Sequence, residues 1–284
     1  MTENSSIKKK LIDLDAIISS KNPKLLKYIP RFILNYLKRV LHQDELNDLF
    51  YGLRDYRGLE FVEQISTRFN LNLVTDGLDN IKGEDKYIFA SNHPLGGMES
   101  VGLMHIIGKV HPNLRFLVND VLLQIKNYEP LFVPINKFGS QAKESVLRIE
   151  EAYKSENQIL IFPAGLVSRR ISGKIQDLKW HKNFIRKSIQ HKRDVIPTFI
   201  EAKNSNFFYN LSSIRRFFGI KANIEMFYLA DEAYKQTNAT IKYYFGKPIP
   251  YTTFDKRFTV DEWATKIREH VYKLSKNANQ EFEY

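Results

Sequence analysis

Apolar residues recur at helical spacing near the start of the chain. Leu25, Leu26, Ile29, Phe32, Ile33, Tyr36, Leu37, Val40 and Leu41 share the stretch from Lys24 to Leu41 with Lys24, Lys27, Arg31, Lys38 and Arg39. The spacing predicts an amphipathic helix with basic charge beside an apolar stripe, and Pro30 breaks or starts a helix within it. Such a stripe fits a helix packed on its own domain, and equally one lying in a lipid interface, where phosphates attract one face and acyl chains accept the other. A second pattern, Gly58 to Phe69, puts Leu59, Val62, Ile65 and Phe69 on one side. Residues 1–70 therefore read as an N-terminal amphipathic two-helix module.

After Asn70 the period changes to short apolar runs separated by helical stretches, which is the signature of α/β alternation. Expected strands are Leu73 to Thr75, Tyr87 to Ser91, Arg115 to Val118, Phe132 to Ile135, Gln158 to Phe162, Val195 to Ile200 and Thr240 to Phe245. Expected helices fill Glu99 to Lys109, Ser140 to Lys154, Lys182 to His191 and Val260 to Leu274. The fold class is α/β, a mixed and mainly parallel sheet flanked by helices over residues 71–284, without internal repeats or a linker between independent domains.

Composition adds limits. A chain of 284 residues with 43% apolar content buries a substantial core. Its formal charge of +11 favours an anionic partner: nucleic acid, anionic lipid or an acidic carrier protein. There is no cysteine, which excludes disulfides, thiolate metal sites and a cysteine nucleophile. Acidic residues interrupt the apolar run after Lys8-Lys9-Lys10, so no signal peptide is expected, and no window approaches the roughly 18 apolar residues of a spanning helix. A soluble or monotopic cytoplasmic protein is the expectation.

The chemistry concentrates in Ser91-Asn92-His93-Pro94-Leu95-Gly96-Gly97-Met98-Glu99. His93 follows an expected strand and precedes an expected helix, and open α/β sheets place ligands at such strand ends. Pro94 and Gly96-Gly97 force a tight turn, from which Glu99 can reach back toward the imidazole. A carboxylate on one ring nitrogen leaves the other free as a general base. On spacing alone, a histidine and glutamate that merely cap a helix fit as well. The other six histidines show no metal-ligand spacing, so no metal is expected. There is no G-x-S-x-G elbow, no G-x-G-x-x-G and no phosphate loop. A second cluster, Phe162-Pro163-Ala164-Gly165-Leu166-Val167-Ser168-Arg169-Arg170, ends a strand in Pro and Gly and presents a hydroxyl and two guanidiniums suited to phosphate or carboxylate oxygens, or simply solvated. Phe132 to Lys137 and Val195 to Thr198 are further strand ends.

The order of these segments resembles the four blocks of the glycerolipid acyltransferase family, the lysophosphatidic acid acyltransferase type, over roughly Tyr87 to Pro250. That family's first block is Asn-His, four residues, then Asp; here five residues separate Asn92-His93 from Glu99. Its third, Phe-Pro-Glu-Gly-Thr-Arg-Ser, is similar to Phe162-Pro163-Ala164-Gly165 with Ser168-Arg169, alanine replacing glutamate. Asn136-Lys137 stands where Asp-Arg is usual in the second, and Ile196-Pro197 looks like the fourth. The departures are similar to a bacterial branch labelled hemolysin-like, or O-acyltransferases of ornithine and glycine lipids, which commonly reads Asn-His-Pro-Leu-Gly-Gly.

The resemblance implies direct transfer of a fatty acyl group from an acyl carrier protein or coenzyme A thioester to the hydroxyl of a lyso-lipid, with no bound cofactor. His93 is then the general base and Glu99 its orienting partner. Asn92, Gly96, Gly97, Lys137, Pro163, Gly165, Ser168, Arg169 and Arg170 become the expected substrate-binding residues, with amides of Gly96, Gly97 or Gly165 as candidate oxyanion donors. Ala164 and Lys137 turn the acceptor expectation from a glycerol phosphate toward a lyso-aminoacyl lipid carrying a carboxylate. The competing readings are acylation of lysophosphatidic acid or another lysophospholipid, and an inactive membrane-binding homologue. A nucleic-acid partner is not expected, because the basic residues are dispersed. Peripheral attachment to the anionic inner face of the cell membrane through residues around Arg31 to Leu41 follows from the charge and the amphipathic N-terminus.

Overall fold

The computed structural model describes residues 11–21, 28–135 and 142–284. Lys137 lies outside them, as do residues 24–27 of the expected N-terminal helix and the start of the expected helix at 140. Seven strands form one sheet: β1 (Asn72–Asp76), β2 (Tyr87–Ser91), β3 (Leu114–Val118), β4 (Phe132–Pro134), β5 (Gln158–Ile161), β8 (Asp194–Glu201) and β9 (Thr240–Phe245). All seven coincide with runs read from the apolar pattern. Their order is β1-β9-β8-β2-β5-β3-β4, and every pair is parallel except β8 with β9. The remaining two strands, β6 (Arg169–Ile171) and β7 (Lys174–Gln176), form a separate antiparallel hairpin that the sequence pattern did not suggest.

Among the described residues four helices precede β1: α1 (Leu14–Lys21), α2 (Arg31–Val40), α3 (Gln43–Gly52) and α4 (Gly58–Arg68). The second and fourth answer to the two expected amphipathic stretches. Pro30, at φ −58° and ψ 140°, sits at the N-cap of α2, and a left-handed His42 (φ 47°) separates α2 from α3. Six more follow: α5 (Met98–Val110), α6 (Ala142–Lys154), α7 (Asn183–His191), α8 (Asn206–Phe217), α9 (Leu229–Tyr234) and α10 (Val260–Lys273). No helix of the described residues is long and apolar enough to cross a membrane.

Strand β2 is buried along its whole length, as a central parallel strand covered on both faces should be. Its side chains alternate between two cores. Tyr87 and Phe89 pack with Phe61, Val62 and Ile65 of α4 and Leu103, Met104 and Ile107 of α5. Ile88 and Ala90 pack on the other face with Phe184 and Ile185 of α7 and Trp263, Ile267 and Val271 of α10. Because α4 contributes to the first core, the N-terminal helices cover the same sheet whose carboxyl edge carries His93.

Candidate active site

His93 leaves the carboxyl end of β2, between β5 and β8. Phe162 leaves the neighbouring parallel strand β5 at the same level, so the imidazole lies flat on the Phe162 ring, centroids 4.1 Å apart and planes 16° apart. The turn then reverses through Gly96, whose φ of +97° suits glycine; a Cβ there would come within 2.9 Å of Leu229 and Val167. Glu99 sits in the first turn of α5, where a negative charge is favoured by the helix N-terminus.

The fully buried Glu99 carboxylate is saturated with donors. Its Oε1 accepts from His93 Nδ1 at 2.8 Å, from the Leu95 amide at 2.9 Å and from the Gly96 amide at 2.7 Å; Oε2 accepts from the Gly97 amide at 2.7 Å. Burial is the largest single influence on this carboxyl and works to raise its pKa, yet the His93 charge and the converging hydrogen bonds outweigh it and hold the group below its usual range. An ionised carboxylate donates nothing, so Nδ1 carries the proton and Nε2 is left as the basic nitrogen. His93 lines a cavity of about 940 Å³.

The lining of that cavity comes from both faces of the sheet at its carboxyl edge. Phe50, Ile65, Phe69 and Val101 line it on the side of α4 and α5, while Ile149, Tyr153 and Phe184 line it on the side of α6 and α7. His93, Pro163, Ala164, Gly165 and Leu166 also line it. The lining is chiefly aliphatic and aromatic. Among the described lining residues the permanent cation is Lys187, which is paired with Glu150.

The other residues singled out from sequence take several places. Asn92 is buried and clamps β2 to β8, its Oδ1 accepting from the Ile200 amide at 2.7 Å and its Nδ2 donating to the Ile200 carbonyl at 2.9 Å. Gly96, Gly97, Pro163 and Gly165 line the cavity. The amides proposed as oxyanion donors already have acceptors: those of Gly96 and Gly97 donate to Glu99, and that of Gly165 donates to the Phe162 carbonyl at 3.0 Å. Ser168 holds the His93 carbonyl through its amide at 2.7 Å and lies 3.1 Å from it through Oγ. Arg169 is buried, with its guanidinium on Glu225 and on the Val167 carbonyl. Arg170 bonds the side chains of Asn206 and Asn210.

Sequence reading missed Asp177. Fully buried, it accepts from the His93 amide at 3.1 Å, the Ser168 hydroxyl at 2.6 Å and the Trp180 indole N–H at 2.8 Å, which ties the first and third blocks into one unit. Burial pushes its carboxyl up, opposed by those same bonds. It lies in the stretch 174–182, which has neither helical nor strand period, so nothing in the pattern marked it.

The acyltransferase family model matches residues 16–280. The chain belongs to this acyltransferase family. It is 45% identical over 275 residues to a protein of Bacteroides thetaiotaomicron named lyso-glycine lipid O-acyltransferase, covering 96% of this chain and all of that one. A second protein of the same name, from Phocaeicola vulgatus, is also 45% identical, covering 96% of this chain and 98% of its own. A solved structure, the 1-acyl-sn-glycerophosphate acyltransferase PlsC of Thermotoga maritima, overlaps 88% of this chain and all of its own at 14% identity and a TM-score of 0.47.

Proposed function

We propose that this acyltransferase esterifies the hydroxyl of a lyso-aminoacyl lipid, of the glycine or ornithine kind, using an acyl thioester of acyl carrier protein or coenzyme A. The observation that carries the reading is a general-base dyad, His93 with Glu99, opening on an apolar cavity large enough for lipid chains. The names of two relatives at 45% identity point to the glycine lipid.

In this mechanism His93 Nε2 takes the acceptor hydroxyl proton as the oxygen attacks the thioester carbonyl. The tetrahedral intermediate collapses by expelling the sulfur, which takes the proton back from the imidazolium and leaves as a thiol. Glu99 holds the Nδ1–H tautomer and offsets the imidazolium charge while it lasts. A single cavity that His93 lines and that is walled from both faces of the sheet suits direct transfer within a ternary complex. Arg169 is neutralised by Glu225, Ala164 replaces the family's glutamate, and the cation on the described lining is already paired; these favour a singly charged carboxylate headgroup over a phosphate. With a charge of +11 and a lipid acceptor, the enzyme works peripherally on the anionic inner face of the membrane.

Incubation of the purified protein with one acyl thioester and lyso-glycine, lyso-ornithine and lysophosphatidic acceptors, with products identified by mass spectrometry, tests this. Acylation of the aminoacyl acceptors, abolished in folded His93→Ala, is expected. Acylation of lysophosphatidic acid alone would overturn the acceptor, and no transfer to any acceptor would overturn the activity.

A further inference from the structure

Two segments far apart in sequence meet in an exposed aromatic surface. On α2 and just before it, Tyr28 is 82% and Phe32 73% exposed, with Ile33 and Tyr36 also open. At the end of α8 and beyond, Phe217 is 84% and Phe218 69% exposed, with Ile214, Ile220 and Phe227 beside them in the chain. The two are joined by a hydrogen bond between the Tyr36 and Tyr228 hydroxyls at 2.9 Å, across 192 residues of sequence, and Phe207 packs edge-on against Tyr228 at 4.9 Å. Phe217 and Phe218 pack on each other while standing almost wholly in solvent, which is costly unless something covers them.

Within these two segments the exposed charge has one sign, and the acids that border them, Asp15 and Asp231, are paired with Lys38 and Lys235. Between Tyr28 and Leu41 there is no carboxylate, and between Lys203 and Tyr228 the one carboxylate, Glu225, is buried. Arg31, Arg39, Lys203, Arg216 and Lys221 are exposed. Aromatic and aliphatic side chains interleaved with exposed Lys and Arg, with no exposed acid in either segment, are what the boundary between acyl chains and anionic headgroups requires.

The segment is also fastened to the catalytic turn. Glu225 is shared between Arg169, at the end of the third block, and Arg215 of α8, with bonds of 2.8 to 3.1 Å. Leu229, directly after the turn that carries Phe227 and Tyr228, packs against Gly96 and Val167. We propose that the joint surface of α2 and the Phe207–Tyr228 segment docks on an anionic bilayer, with Phe217 and Phe218 entering the headgroup boundary, so that a lyso-lipid reaches His93 without leaving the membrane.

The proposal deepens the lyso-lipid reading, and its test uses no substrate, so failure of docking and failure of acyl transfer are told apart. Purified full-length protein is floated with phosphatidylcholine vesicles with and without phosphatidylglycerol, alongside F217S/F218S and His93→Ala. Wild type and His93→Ala should bind the anionic vesicles equally. F217S/F218S, with an unchanged Tm because the two rings are exposed, should bind about tenfold or more weakly. In Phe217→Trp, indole emission should shift blue on adding anionic vesicles, against a background of two buried tryptophans, Trp180 and Trp263. Unaltered vesicle binding by F217S/F218S would overturn the proposal. So would a dimer in sedimentation that becomes monomeric in F217S/F218S without any vesicle binding by wild type, since the surface would then be covered by a second copy of the chain.

Discussion

Glu99→Gln separates the charge of the buried carboxylate from its shape. In the native site Oε1 takes three donors and Oε2 takes one, at 2.7 to 2.9 Å. A carboxamide has one oxygen. The orientation that keeps His93, Leu95 and Gly96 on that oxygen turns its NH2 group against the Gly97 N–H, and the opposite orientation abandons three donors. Weakening the retained bonds to neutral strength and burying one donor against another costs about 3–5 kcal/mol. A domain with an ordinary stability of roughly 5–15 kcal/mol survives that with a lowered Tm. The catalytic effect is larger, because the imidazolium loses its counter-charge in either orientation and in the second an NH2 group faces Nδ1 and favours the wrong tautomer: kcat should fall on the order of 10⁴-fold, with KM little changed. Glu99→Asp keeps the charge but retracts it by about 1.5 Å, roughly one C–C bond, and should fall between the two in both Tm and kcat. The assay is steady-state acyl transfer to the preferred lyso-lipid, paired with circular dichroism melting. If folded Glu99→Gln keeps kcat within about tenfold of wild type while its Tm drops, the carboxylate is a structural brace and the dyad reasoning is wrong.

Gly96→Ala combines a left-handed φ with a Cβ 2.9 Å from Leu229 and Val167, and should cost about 1–3 kcal/mol in urea denaturation with a parallel loss of turnover; an unchanged midpoint would contradict the strained turn. Asp177→Ala leaves the His93 amide, the Ser168 hydroxyl and the Trp180 indole without their acceptor, so a loss of about 3 kcal/mol or more is expected, with kcat reduced and KM retained; wild-type kcat in the folded variant would show that Asp177 does not position His93. His270 is buried beside Phe282, and burial, aided by Lys273, pushes its pKa from 6.5 down to about 4. The unfolded chain therefore binds a proton first as pH falls, so stability is full above pH 6.5 and declines toward pH 4, by on the order of 2–3 kcal/mol for this group. Thermal melts of His270→Gln should show a shallower decline over that window, and identical slopes would refute the assignment.

The sheet was legible in two ways: central runs such as Tyr87 to Ser91 are buried on both faces and read as continuous apolar stretches, whereas Thr240 to Phe245 alternates exposed and buried positions, and all seven expected runs joined one sheet. The elements missed are those whose stability is supplied from elsewhere in the chain. The β6–β7 hairpin is three residues per strand, and the α8 segment depends on Arg169 and Arg215 closing on Glu225, 56 and 10 residues away in sequence. Local periodicity carries no record of such a pairing. The same is true of Arg169 itself: an arginine after a strand end reads as an anion site, and only the fold reveals that Glu225 has already satisfied it. Burial tends to raise the Glu225 carboxyl, but its hydrogen bonds and the two guanidiniums hold it below its usual range. Arg169 thus connects the catalytic turn to the aromatic surface.

The candidate dyad shows the opposite case, in which sequence and geometry explain each other. Relative to the family's first block, the turn here has one residue more and the acid one methylene more. The extra residue lies in the loop that Gly96 and Gly97 close, and the amides of both donate to the acid. The added methylene carries the carboxylate back across that longer loop until Oε1 stands 2.8 Å from the imidazole. We read the two departures as one compensated change, because the longer acid reaches Nδ1 across the longer turn. It draws the histidine's partner deeper into the first turn of α5, where three backbone amides and the helix N-terminus fix its charge before any substrate arrives.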